Sequence, residues 1–191
     1  MKRNAVLSAH GVYRYLLTRE WSSGPQGAII MLNPSTADEF QDDPTIRKCI
    51  GFAQRLGWGG FSVVNLYAYR ATDPADLRRA GYPIGPHNEQ YIERAVDLAA
   101  DTGAPVVAAW GRKGHQQQAR VRAVLAALRS TPVFALRIAK TGAPSHPLML
   151  PYSTQLLPYY EQNTNSSTAL AGFGRTASER GRSRGGALVG P

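Results

Sequence analysis

The sequence predicts an α/β protein of three layers, α/β/α, with a four-stranded, mainly parallel central sheet. Two observations predict this. Short apolar runs recur at 28–32, 61–66, 105–110 and 132–138, and amphipathic stretches of helical length lie between them. Turn residues also punctuate the runs: Pro34, Gly57-Trp58-Gly59-Gly60, Gly103-Ala104-Pro105 and Gly111.

Val12–Glu20 reads as a first strand, antiparallel to the next one across a short loop at Trp21–Pro25. Ala28–Leu32 is an unbroken apolar run and reads as a strand buried on both faces. Pro34 stops it, because proline has no N–H to give to a ladder. Asn33 therefore sits at the carboxyl end of a central strand, where open α/β sheets bind their ligands.

Asp43-Pro44 has the form of an N-cap followed by proline at the first helical position. Ile46, Cys49, Ile50, Ala53 and Leu56 follow at helical spacing, which predicts a helix over Pro44–Leu56. Helix capping and a solvated loop account for the acidic group Asp38, Glu39, Asp42 and Asp43, and no metal is expected there. Phe61–Asn65 is the second core strand. A loop over Tyr67–Pro86 follows, long enough to suggest binding. Helices are expected at Asn88–Ala100 and Gln116–Leu128, and strands at Val106–Trp110 and Val133–Ile138. The four core strands and their helices give right-handed βαβ units within one domain, residues 1–161.

Residues 162–191 are rich in Gly, Ser and Arg, with four arginines against one glutamate. Such a segment buries too little apolar surface to offset its ordering entropy, so disorder is expected.

Composition narrows the function. The chain has 191 residues, a formal charge of +9 and a pI near 10.1, which favours a polyanionic partner such as nucleic acid. No run approaches the ~20 apolar residues of a membrane span, and no secretory signal is expected. The single Cys49 excludes an internal disulfide, a Cys-ligated iron–sulfur cluster and a Cys-rich zinc site within one chain. A cytoplasmic monomer without cofactor is expected. Gly111-Arg112-Lys113-Gly114 lacks the spacing of both P-loop and Rossmann phosphate cradles. His10, His87 and His115 show no ligand spacing and read as surface residues.

Three strand ends bring polar groups to one edge of the expected sheet: Asn33-Pro34-Ser35, Asn65-Leu66-Tyr67 and Trp110-Gly111-Arg112. The loop after the fourth strand adds Ser145-His146-Pro147. The succession LNPS (32–35), VVNLYAYRATDP (63–74), PVVAAWG (105–111) and SHPLML (145–150) resembles the uracil-DNA glycosylase superfamily. That superfamily has, in the same order, a Gly-Ile/Met-Asn-Pro-Gly motif, an Ile-Thr-Asn strand, an apolar strand ending in Leu-Gly, and a His-Pro-Ser-Pro motif. The chain departs from it at Met31 and Ser35, which stand where glycines are usual, and at Leu148, where the last motif loses its Ser-Pro. The chain is also similar to a bacterial and phage family catalogued as a domain of unknown function, with the signature LNPSTAD, DDPTIR, NLYAYRATDP and HPL.

The superfamily resemblance implies a glycosylase-like fold and removal of a damaged or modified base from DNA by hydrolysis of the N-glycosidic bond. Asn33 would orient the water, and a neutral His146 would donate to the base as charge develops on it. Pro34, Ser35 and Asn65 would complete the base pocket, and Phe40, Tyr67 or Tyr69 would stack on the base. Arg70, Arg112, Lys113 and Lys140 would hold phosphates. Leu148, Met149 or Leu150 would wedge into the duplex. Two alternatives stay open: a non-catalytic module that binds nucleic acid or a nucleobase, and an enzyme acting on free nucleosides or nucleotides.

Overall fold

The computed structural model describes residues 1–128 and 131–159. The tail expected over 162–191 therefore lies outside the described residues. The described chain is an α/β unit built on one mixed, seven-stranded sheet in the order β1-β2-β4-β3-β5-β6-β7. Its strands are β1 (Lys2–Leu7), β2 (Arg14–Glu20), β3 (Gln26–Met31), β4 (Gly60–Asn65), β5 (Val106–Ala108), β6 (Val133–Ala135) and β7 (Leu157–Pro158). Its α-helices are α1 (Pro44–Arg55), α2 (Pro74–Arg79), α3 (Asn88–Asp101), α4 (Gly111–His115) and α5 (Gln118–Ala127).

The sheet is thus larger than the four strands expected. The four expected segments lie side by side and parallel at its centre, as β4, β3, β5 and β6. Antiparallel strands extend both edges: β2 and β1 beyond β4, and β7 beyond β6. The strand expected at Val12–Glu20 pairs with β4 and not with its sequence neighbour β3. β1 and β7 escape a reading by hydrophobicity because they are edge strands. Lys2-Arg3-Asn4 is exposed, and so is Leu157-Pro158. The long loop at 67–86 contains α2, and the helix expected over Gln116–Leu128 is α5, preceded by a short helix, α4, that was not expected at Gly111–His115.

Strand β3 shows why the layers form. Its side chains alternate between two cores. Ala28 and Ile30 pack with Ile92, Ala95 and Ala99 of α3 and with Val121 and Val124 of α5. Ile29 and Met31 pack with Ile46, Cys49, Phe52 and Ala53 of α1. An apolar run without alternation is what a strand covered on both faces requires. Helix α1 starts as its sequence dictates: Asp43 accepts from the Ile46 N–H, and Pro44 fills the first turn.

The chain leaves β3 for β4 on one side and later returns to β5 on the other. The strand order therefore reverses at β3, and a crevice is expected outside its carboxyl end. β2 runs antiparallel to β4, so its first residue, Arg14, reaches the same edge; its N–H donates to Ala68 O at 2.9 Å. A β-bulge helps to place it. Val6 pairs with Leu16 and Leu7 with Arg14, which leaves Tyr15 as the extra residue. Tyr15 stacks on Tyr91 of α3, and the Arg14 guanidinium turns to the loop before α1.

Candidate active-site cleft

The crevice is present. A cleft of about 490 Å³ opens at the carboxyl ends of the parallel strands, lined by residues following β3, β5 and β6 and by the start of β2. Of the residues singled out in the sequence, it brings together Asn33, Ser35, Arg112, Lys113 and His146.

Asn33 is fixed by the loops on either side. Tyr67 N–H donates to Leu32 O at 3.0 Å and Ala71 N–H to Pro34 O at 2.9 Å, so the chains leaving β3 and β4 stay paired past the strand ends. Asn33 Nδ2 then donates to Ala71 O at 2.7 Å and to Pro34 O at 3.0 Å. Both amide hydrogens are engaged by backbone. What Asn33 retains for chemistry is one acceptor, Oδ1.

His146 is placed by the β5 end. Gly111 turns the chain with φ 67°, a conformation suited to glycine, and its N–H donates to Pro144 O at 3.0 Å. His146 caps the short 3₁₀ turn Pro147–Met149, with Nδ1 accepting from the Leu148 N–H at 3.3 Å. That bond assigns the tautomer: a ring whose Nδ1 accepts carries its proton on Nε2. Desolvation lowers the pKa of His146 below its ordinary 6.5, while nearby Asp43 acts in the opposite direction. The residue keeps contact with solvent, which limits the shift. At neutral pH the ring is therefore a neutral Nε2–H donor.

The other expected site residues are elsewhere. Pro34 is buried, and its carbonyl serves the loop pairing just described. Asn65 is 1% exposed and does not line the cleft. Asn88 Nδ2 donates to the Asn65 carbonyl at 2.9 Å. Tyr67 is buried against Tyr82, with ring centroids 5.2 Å apart, so it is core and not a stacking platform. Tyr69 sits edge-on to Tyr13, and Phe40 is 80% exposed away from the cleft lining. Arg70 braces loops through Ser35 O at 3.5 Å and Gly11 O at 3.3 Å. Lys140 is exposed and outside the cleft. Leu148 and Met149 are exposed on the turn next to His146, whereas Leu150 is buried in the α1 core.

The acidic group has structural work. Asp38 accepts from the Phe40 and Gln41 N–H groups, which lower its pKa; Asp42 pairs with Arg19; Asp43 caps α1. Burial raises the Cys49 thiol far above its ordinary range, so it is no nucleophile.

Trp110 stands where its strand end was expected, but the sequence did not assign a site role to four lining residues: Arg14, Asp43, Thr45 and Thr72. Only Arg14 carried a signal, as a charge in an otherwise buried strand (pattern RYLLTRE).

The fold and site define an α/β protein with a basic, polar cleft across the carboxyl ends of its parallel strands. The chain belongs to the family of proteins of unknown function DUF1643, which matches residues 14–148. No curated protein and no solved structure matches it.

Proposed function

We propose that this is a DNA glycosylase-like enzyme, with a fold of the uracil-DNA glycosylase kind, that removes a damaged or modified base from DNA. One observation carries the reading: Asn33 and His146, far apart in sequence, line one cleft, each with its polar orientation fixed by backbone.

The chemistry needs two groups on opposite sides of the scissile bond. Water attacks the sugar carbon C1′ as the C1′–N bond breaks, and the bonding electrons leave with the base. The Asn33 Oδ1 accepts from that water and aims its lone pair. The His146 Nε2–H donates to the base oxygen on which negative charge develops, the point in the reaction where a fixed donor lowers the barrier most. The proton that the water loses passes through solvent to the departing base anion, so the products are an abasic sugar and a neutral free base. The partner is DNA, held at the rim by Arg112 and Lys113, and a cytoplasmic monomer suffices.

The test is a panel of labelled single- and double-stranded oligonucleotides, each with one modified base, incubated with protein and then with alkali. Scission at one base supports the reading. Tight binding without scission throughout the panel would leave a non-catalytic module as the better description.

A further inference from the structure

Two buried arginines on β2 invite comparison. Arg19 is 0% exposed and fully engaged: Nε donates to Asp42 Oδ1 at 2.7 Å, Nη1 to Thr18 O at 2.7 Å and Nη2 to Asp38 O at 2.6 Å. This is how a buried guanidinium is ordinarily accommodated, with a carboxylate and carbonyls on its donors. Arg14 is 3% exposed and differs. Nη1 donates to Ala37 O at 2.7 Å, but Nε is buried with no hydrogen-bond partner among the described residues, and no carboxylate forms an ion pair with it there. Asp43 lies near enough to favour its charge, yet Asp43 Oδ1 is committed to the Ile46 N–H. Burial holds the Arg14 pKa down to about 10, so the group is still a cation at neutral pH. Arg14 also lines the cleft.

We propose that Arg14 anchors an oxyanion subsite within the cleft, and that the anion it takes is a phosphoryl group of a nucleotide. The charge around it fits. Among the lining residues three are cations, Arg14, Arg112 and Lys113, and one is an anion, Asp43. A phosphate monoester brings up to two negative charges and three acceptor oxygens. A carboxylate brings one charge and two oxygens. The exposed Arg112 and Lys113 stand at the mouth, and Ser35 and Thr45, which line the same cleft, add hydroxyl donors. A phosphate seated against the cleft face of Arg14 meets a guanidinium that no carboxylate among the described residues pairs with, and gains the strength of a charge-assisted bond. The subsite is independent of the glycosylase reading, because it requires no bond to be broken. The phosphoryl group has two possible sources: a free mononucleotide, which brings the full monoester charge, or the backbone of a strand, whose diester brings one charge and two free oxygens.

The experiment uses the full chain labelled with ¹⁵N. The Nε–H signal of Arg14 is followed during separate titrations with inorganic phosphate, deoxyuridine 5′-monophosphate and a single-stranded oligonucleotide. Calorimetry gives Kd for the last two with wild type and with Arg14→Gln. The expected result is a saturable shift of the Arg14 Nε–H signal with phosphate and at least one nucleotide, and a Kd weakened about 10- to 100-fold in the variant. A response to the mononucleotide assigns the free nucleotide as source; a response to the oligonucleotide alone assigns the strand. An Arg14 signal that stays still at high concentrations of all three probes overturns the proposal. So does a folded Arg14→Gln protein that binds as wild type does. If Arg14→Gln does not fold, the wild-type titration decides alone. Failure of base excision in the alkali assay would leave this outcome untouched.

Discussion

Asn33 Nδ2 lies 2.7 Å from the carbonyl oxygen of Ala71 and ties the loop after β3 to the loop after β4. The bond gives Asn33 two functions at once. It orients the amide, and it holds the cleft wall that Ala71 and Thr72 form. The two functions separate by substitution. Asn33→Ala removes two hydrogen bonds from a half-buried site, for a stability loss of about 1–3 kcal/mol at roughly 0.5–1.5 per bond. In the proposed reaction it also removes the oxygen that would orient the water, so excision should fall while DNA affinity changes little. Asn33→Asp keeps an acceptor, but it turns a carboxylate oxygen towards Ala71 O and Pro34 O. It should destabilise at least as much as alanine and restore no activity. Denaturant melts and single-turnover excision rates check both. Normal excision by Asn33→Ala would exclude it from the chemistry.

His146 makes a prediction about pH. Its folded-state pKa lies below 6.5, so the unfolded chain takes up a proton at this position before the folded one does as pH falls. The stability it contributes is complete above about pH 6.5 and is lost as pH falls through the lowered folded value. Protonation also destroys the acceptor that receives the Leu148 N–H. Excision should therefore be flat above pH 6.5 and decline below it. His146→Ala should lose about 10²–10³-fold in rate, as loss of a comparable electrostatic donor does. It should also flatten the acidic limb of the pH–rate profile. A profile unchanged by the substitution would remove His146 from the mechanism.

Much of the fold was legible because it depends on local pattern. Ala28–Leu32 is apolar throughout, so it reads as a doubly covered strand, and β3 is covered by α1 on one face and by α3 and α5 on the other. Asp43-Pro44 reads as a helix start because capping is local chemistry. Other features depend on distant partners. β1 is a polar edge strand whose place is set by pairing with β2, which no local period reports. Tyr67, packed in the core, and Tyr69, edge-on to Tyr13, illustrate a related point. An aromatic residue after a strand fits a core as well as a pocket, and only its neighbours decide. Arg14 is the clearest case. Its position depends on a bulge that shifts the pairing by one residue, a displacement that sequence periodicity cannot register.

Arg112 and Lys113 are exposed at the cleft mouth on α4, and they provide the test of strand binding. If each neutralises one phosphate of a duplex, the affinity for DNA should fall with salt on a log–log slope to which each contributes about −0.9. Arg112→Ala and Lys113→Ala should each flatten the slope by about that amount and leave any preference among bases unchanged. Fluorescence anisotropy at several salt concentrations measures it. Slopes identical to wild type would place the strand elsewhere.

The last prediction concerns the pair that holds the loop before α1. The Arg19 side chain is fully buried, and Asp42 Oδ1 accepts from its Nε at 2.7 Å and lies 2.7 Å from its Nη2. Asp42→Ala would leave that cation buried with only the carbonyls of Thr18 and Asp38, a situation that typically costs about 3–5 kcal/mol. The Arg3 contact to Asp42 at 3.4 Å is partly solvated, so Arg3→Ala should cost less than about 1 kcal/mol. Replacing both buried partners, Arg19→Met with Asp42→Leu, removes the unpaired charge as well as the bond and should be less harmful than Asp42→Ala alone. The effect should also reach the cleft. Arg19 grips Asp38 O, and the same loop presents Ala37 O to Arg14 and Asp43 to the first turn of α1. Urea melts of the three variants give the order of stabilities. An Asp42→Ala protein as stable as wild type would mean that Arg19 finds another acceptor, and the loop's dependence on this pair would be disproved.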